Sequence, residues 1–154
     1  MPHQHPVAAG VPAADPAASP IGTWRLLAFE LEIEGRAERR HPMGASPQGR
    51  LVLTPDGFMI GLIVAGDRTA GRDDAALAAL FRTMLAYTGR YRLEGDRFVT
   101  TVDASWNEAW TGTAQVRTFA LDGDRLDIVS PWEPHPLKPE APVARGILRW
   151  VREA

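Results

Sequence analysis

Cysteine is absent from all 154 residues. That excludes disulfides, thiolate nucleophiles and cysteine-ligated metal, and it favours a reducing cytoplasm over a secreted setting. Lysine is almost absent: Lys138 stands alone against sixteen arginines, and the formal net charge is only −2. A chain without a basic excess lacks the clustered cations that phosphate binding needs, which argues against nucleic acid as a partner. No apolar run approaches the roughly twenty residues that cross a bilayer, so no membrane partner is expected. Metal-ligand spacing, a glycine-rich phosphate loop and a nucleophile elbow are all missing, so neither metal nor cofactor is expected.

Residues 1–20 hold five prolines and six alanines. Pro6, Pro12 and Pro16 break any apolar run a signal peptide would need, and this stretch reads as a disordered tail. His3 and His5 lie within it, where metal binding would be incidental. The remainder, 21–154, is long enough for one domain with a single core.

From Ile21 onward turn signals recur at short intervals and apolar residues alternate, the pattern of a sandwich or barrel. Strands are predicted at 21–32, 49–54, 57–65, 87–93, 97–105, 113–121, 124–131 and 143–151. Eight strands close a barrel just wide enough for one small ligand. Thr54-Pro55-Asp56-Gly57 is a tight turn. Leu93-Glu94-Gly95-Asp96-Arg97-Phe98 and Leu121-Asp122-Gly123-Asp124-Arg125-Leu126 repeat one hairpin recipe, so a meander is expected. The fold class is therefore all-β: an eight-stranded antiparallel up-and-down barrel with one inserted amphipathic helix.

That helix is placed at 73–86. Leu77, Leu80, Phe81, Met84 and Leu85 fall on one stripe after the acidic start Asp73-Asp74. It either packs on the barrel wall or serves as a lid over the mouth.

The motifs Gly22-Thr23-Trp24-Arg25-Leu26, His41-Pro42-Met43-Gly44, Gly49-Arg50-Leu51, Thr54-Pro55-Asp56-Gly57-Phe58-Met59, Tyr87-Thr88-Gly89-Arg90-Tyr91, Gly112-Thr113-Ala114-Gln115-Val116-Arg117 and Gly123-Asp124-Arg125-Leu126 occur in an order that resembles the bacterial and fungal lipocalin-like domain family of the calycin superfamily. The likeness covers about 21–151. It implies an eight-stranded barrel around a central cavity, with an arginine of the last strand (Arg149, beside Trp150) lying over the Trp24 indole. The resemblance does not imply one activity. The family often carries histidine where this chain has Thr100-Thr101, so a reaction using an imidazole there should be absent.

Candidate site residues follow from period two. Gln115, Arg117, Phe119 and Leu121 share a face, read as interior. An inward Arg117 must meet a polar ligand or be paired, with Glu30 or Asp103 as the acids considered. Tyr87 and Tyr91 share the interior face of their strand with Leu93, and either phenol could donate to a ligand or satisfy a backbone group. Trp106, Trp110 and Trp132, with Phe58, are expected to rim one mouth. Glu108 is the acidic candidate there, and His41 and His135 are either general bases or ordinary loop residues.

Two functions fit. The first is a barrel binding a small, mainly apolar organic molecule by its polar end, with Arg117, Gln115 and Tyr91 at that end and Phe119, Trp106 and Trp110 around the rest. The second is a cofactor-independent cyclase or isomerase acting on a polyketide-like or terpenoid intermediate, with Arg117 and Tyr91 catalytic. Such chemistry needs mainly proximity and a few hydrogen bonds. A barrel that fills its own cavity and works through its surface is a third reading, disfavoured because no apolar surface stripe stands out.

Overall fold

A computed structural model describes residues 19–154. The expected tail, with His3 and His5, therefore lies outside the described residues except for Ser19 and Pro20. Nine antiparallel strands run in chain order as β1 (Gly22–Ile33), β2 (Arg39–Arg40), β3 (Gln48–Leu53), β4 (Phe58–Val64), β5 (Met84–Glu94), β6 (Arg97–Ser105), β7 (Ala114–Asp122), β8 (Arg125–Val129) and β9 (Ala144–Arg152). Pairing of β1 with β9 closes the sheet, and the two-residue β2 flanks β1 outside the eight-stranded barrel. The eight predicted strands are the eight barrel strands; β2 is the addition.

Both predicted hairpins close as expected, through the pairs Leu93↔Phe98 and Leu121↔Leu126. In an up-and-down barrel alternate connections fall at opposite ends. The tight turns after β3, β5 and β7 therefore share one end, and the longer connections after β1, β4, β6 and β8 share the other. The first end is closed and the second is the mouth.

The closed end explains the Gly-x-Trp motif. Trp24 is fully buried and its indole N–H donates to the Pro20 carbonyl at 2.8 Å. The guanidinium over its ring, 4.3 Å from the centroid, is that of Arg152 and not Arg149. Trp150 and Arg152 share one face by alternation, and Trp24 is paired with Arg152 in the β1–β9 ladder. Arg149 lies on the opposite, outer face, 3.7 Å from Glu30. Arg152 also donates to the Ile21 and Ser19 carbonyls at 2.8 Å each. A Cβ at position 22 would sit 2.8 Å from its Nη1, and Gly22 has φ +139°, so glycine is required there. Ser19 and Pro20 are thus parts of the barrel's closure.

Two β-bulges re-aim side chains. In β1 the pairing with β9 slips between Leu26 and Ala28. Trp24 and Leu26 face inward before the slip, and Phe29 and Leu31 face the interior after it. Glu30 and Glu32 are thereby turned outward. In β6 the slip lies opposite Thr88 and Gly89. A Cβ on Gly89 would stand 2.0 Å from the Thr101 carbonyl oxygen, so this close strand approach tolerates no side chain.

The helix, α1, is shorter than predicted, Asp74–Arg82. Asp73 caps it, accepting from the Ala76 N–H at 2.8 Å. Met84 and Leu85, placed on the helical stripe by periodicity, belong to β5, paired with Val64 and Ile63. The β4 ladder already captures the chain at Thr83, whose carbonyl accepts from Ala65 N–H at 3.0 Å. Strand pairing therefore ends the helix. No residue of α1 is buried.

The outer wall also departs from expectation. Phe58, Ile60 and Leu62 alternate along β4 and are all exposed, an apolar stripe that the sequence reading did not identify.

Candidate functional site

The barrel interior holds a cavity of about 170 Å³ that opens at the mouth. Its wall is mostly apolar, with Phe29, Leu51, Met59, Phe98 and Ile128 among the lining residues and Trp150 toward the closed end. Met43 from the β1–β3 connection, Arg82 and Met84 from the α1–β5 junction, Trp106 and Trp110 from the β6–β7 connection, and Glu133 to Leu137 from the β8–β9 connection form the upper wall. The interior is therefore not filled by its own side chains.

Arg117 lies on this wall, only 7% exposed. Two of its N–H groups are used locally, donating to the Val116 carbonyl at 2.8 Å and to Gln115 Oε1 at 3.2 Å. Among the described residues no carboxylate lies within 4.0 Å of it. Neither acid considered for it is available. The β1 bulge puts Glu30 outside, bound by Arg39 at 2.6 Å, and that hydrogen bond holds its carboxyl below the usual carboxylate range. Asp103 accepts from the Thr88 hydroxyl on the outer face. A buried guanidinium without a counter-ion is costly unless something else supplies negative charge or acceptors.

Around Arg117 stands an aromatic group. Its guanidinium lies 5.7 Å from the Trp110 centroid, Trp110 meets Tyr87 edge-on at 5.3 Å, and Trp106 meets Trp110 edge-on at 5.1 Å. Tyr87 is buried and lines the cavity; burial pushes its phenol pKa up, with Arg117 beside it pulling the other way. The phenol therefore stays protonated at neutral pH, a donor and not a base. The indole N–H groups of Trp106 and Trp150 are buried without a protein acceptor. The wall also carries a carboxylate, Glu133, whose charge pushes the Tyr87 pKa up further.

Not every candidate reaches this cavity. Tyr87, Trp106, Trp110 and Arg117 line it. Gln115 stands behind Arg117 as its acceptor, and Phe119 packs against Phe98, ring centroids 6.3 Å apart. Tyr91 is on the interior side but at the closed end, where its hydroxyl donates to the Thr54 carbonyl at 2.5 Å. Trp132 is 44% exposed, with Arg145 stacked 4.7 Å over it on the outside. Glu108 is exposed in a short 3-10 turn, Glu108–Trp110, bonded to the Thr111 hydroxyl. His41 is exposed in its loop, and Phe58 lies at the closed end under Arg90.

The cavity wall includes residues that sequence reasoning passed over. Arg82, Glu133 and Leu137 carried no motif, Met43 and Met59 stood in motifs without being named as site residues, and Trp150 was noted only beside Arg149 at the closure. His135 lines the mouth, its Nδ1 accepting from the N–H groups of Leu137 and Lys138 at 3.0 and 3.1 Å. Burial, reinforced by Lys138, lowers its pKa, so the ring is neutral at pH 7. Thr100, at the position where histidine was expected from the resemblance, is buried but is not among the cavity-lining residues, and Thr101 is exposed. Among the described residues no cluster of three or more acidic or histidine side chains is placed to hold a metal, and no helix is long and apolar enough to cross a membrane.

Compared with family models, residues 21–153 match the one described as a lipocalin-like domain. No curated protein sequence matches the chain.

Proposed function

The chain belongs to the lipocalin-like domain family, and from that premise we propose that its barrel binds a small, mainly apolar organic molecule whose polar end meets Arg117. The observation that carries this reading is a 7% exposed guanidinium on a mostly apolar cavity wall, with no carboxylate within 4.0 Å of it among the described residues. A ligand carboxylate or enolate would supply the missing charge, and a charge-assisted hydrogen bond is stronger than a neutral one. Gln115 orients the guanidinium from behind. Tyr87 offers a further donor beside it, while Trp106, Trp110 and Phe98 cover the apolar body. A cytoplasmic location fits a chain with no cysteine to oxidise.

The cyclase or isomerase reading relies on Arg117 and Tyr91 acting together on one substrate. Tyr91 is committed to Thr54 at the closed end, and Tyr87 is held above its ordinary pKa. Binding is therefore the reading the geometry favours.

Calorimetry with octanoate and octanol on the wild type and Arg117→Met tests it. Octanoate should bind the wild type more tightly, and the substitution should weaken octanoate far more than octanol. Equal loss for both, or none, would remove Arg117 from the site.

A further inference from the structure

Resting on that reading of Arg117, we infer that the polar end of the ligand is amphoteric: a carboxylate meets Arg117, and an ammonium on the same end meets the Glu133 carboxylate.

Backbone alternation aims Glu133 into the cavity. It forms a lone β-bridge with Ala144: the Glu133 N–H donates to the Ala144 carbonyl at 2.9 Å, and the Ala144 N–H returns to the Glu133 carbonyl at 3.1 Å. Trp132 before it faces outward under Arg145, so Glu133 faces inward, and Glu133 and Ala144 both line the cavity. Glu133 is half-buried. Among the described residues no cation lies within 4.0 Å of its carboxylate.

Two opposite charges therefore share one wall without forming an ion pair. Arg117 is held by the Val116 carbonyl and Gln115, and Glu133 is held by its bridge to Ala144. Both act on one group. The Tyr87 phenol, raised first by its burial, is pulled down by Arg117 and pushed up by Glu133. Of the other ionisable groups on the wall, Arg82 is exposed and His135 is neutral at pH 7.

This charge pattern discriminates between ligands. A plain carboxylic acid satisfies Arg117 but brings a second negative charge into the cavity with Glu133, and like charges repel more strongly there than in water. A plain amine has the converse fault at Arg117. An amphoteric head sets each charge against its opposite and leaves the cavity's net charge unchanged. With an apolar body along Trp110 and Phe98, the simplest molecule of this kind is an apolar amino acid.

The test uses the full chain and a ladder of aminooctanoic acids, with the amino group at successive distances from the carboxylate and both enantiomers of each. Octanoate is the reference, and the matching hydroxyoctanoic acid controls for a neutral donor. By calorimetry at pH 7, one amino acid should bind about tenfold more tightly than octanoate. That is the lower value of a hydrogen bond to a charged group, as suits a half-buried carboxylate. In Glu133→Gln, which keeps the side chain's size, the ratio should fall to about one as the amino acid weakens and octanoate tightens. If octanoate binds and no amino acid exceeds it, the role of Glu133 is refuted while the Arg117 reading stands. A hydroxy acid that equals its amino acid, or a ratio that survives Glu133→Gln, also refutes it. If neither octanoate nor any amino acid binds, the reading of Arg117 fails and this inference falls with it.

Discussion

The two ends of the barrel are built on opposite principles. At the closed end polar groups are matched: the Trp24 N–H to Pro20, the Tyr91 hydroxyl to Thr54, and Arg152 to two carbonyls. From the floor of the cavity to its mouth, Arg117 lacks a carboxylate and two indole N–H groups lack protein acceptors. The matched end holds the fold. The proposed ligand site lies on the unmatched wall.

The sharpest way to test the contrast is to damage the closed end. Trp24→Ala removes a fully buried ring, and its expected cost is about 3–5 kcal/mol by urea unfolding. A cost below about 1 kcal/mol would mean that the closed end is not what holds the barrel. On the wall, Arg117→Met should lower octanoate affinity by roughly 10- to 100-fold, the loss of a charge-assisted hydrogen bond. The same variant should unfold no more easily than the wild type, because it removes an unpaired buried charge. A variant that binds normally but melts early would make Arg117 a structural residue.

Thr100→Val sharpens the comparison within the barrel's own wall. Thr100 is 0% exposed and its hydroxyl has no partner, so replacing it should stabilise the protein by about 1 kcal/mol. Destabilisation of similar size would show that the hydroxyl is engaged. At the mouth, Asp73→Ala removes the helix cap, worth about 1 kcal/mol. With no residue of α1 buried, the loss should appear as faster amide exchange confined to the helix. A matching fall in global stability would tie the helix to the core.

The smallest effect expected is one of pH. The folded state lowers the His135 pKa, so it favours the neutral ring. Its contribution is complete above the usual imidazole value of 6.5 and is lost as pH falls from there through the lowered folded value. The stability gap between wild type and His135→Asn should narrow on acidification, as read from thermal midpoints at successive pH. A gap that widens would reverse the sign.

Much of the fold was legible because it is local. Alternation and turn chemistry specify strands residue by residue, and Leu93↔Phe98 and Leu121↔Leu126 close where the repeated hairpin recipe put them. Arg117 was legible for the same reason, as period two carried it inward with Phe119. Glu30 was misread because a bulge after Leu26 inverts every later side chain of β1, and no residue type near it announces the slip. Met84 and Leu85 were misread because a helical stripe and the start of a strand are alike in a short apolar run. Trp132 and Glu108 look like rim residues in one dimension, yet neither is on the cavity wall.

By itself the sequence determined an all-β chain of eight strands, the hairpins that order them, and an arginine on an inner face, since each rests on neighbours a few residues apart. Only the tertiary structure decided which end is closed, that Arg152 covers Trp24, and that Glu30 is unavailable to Arg117. Those facts depend on register between strands far apart in the chain, and one slipped residue is enough to exchange inside for outside.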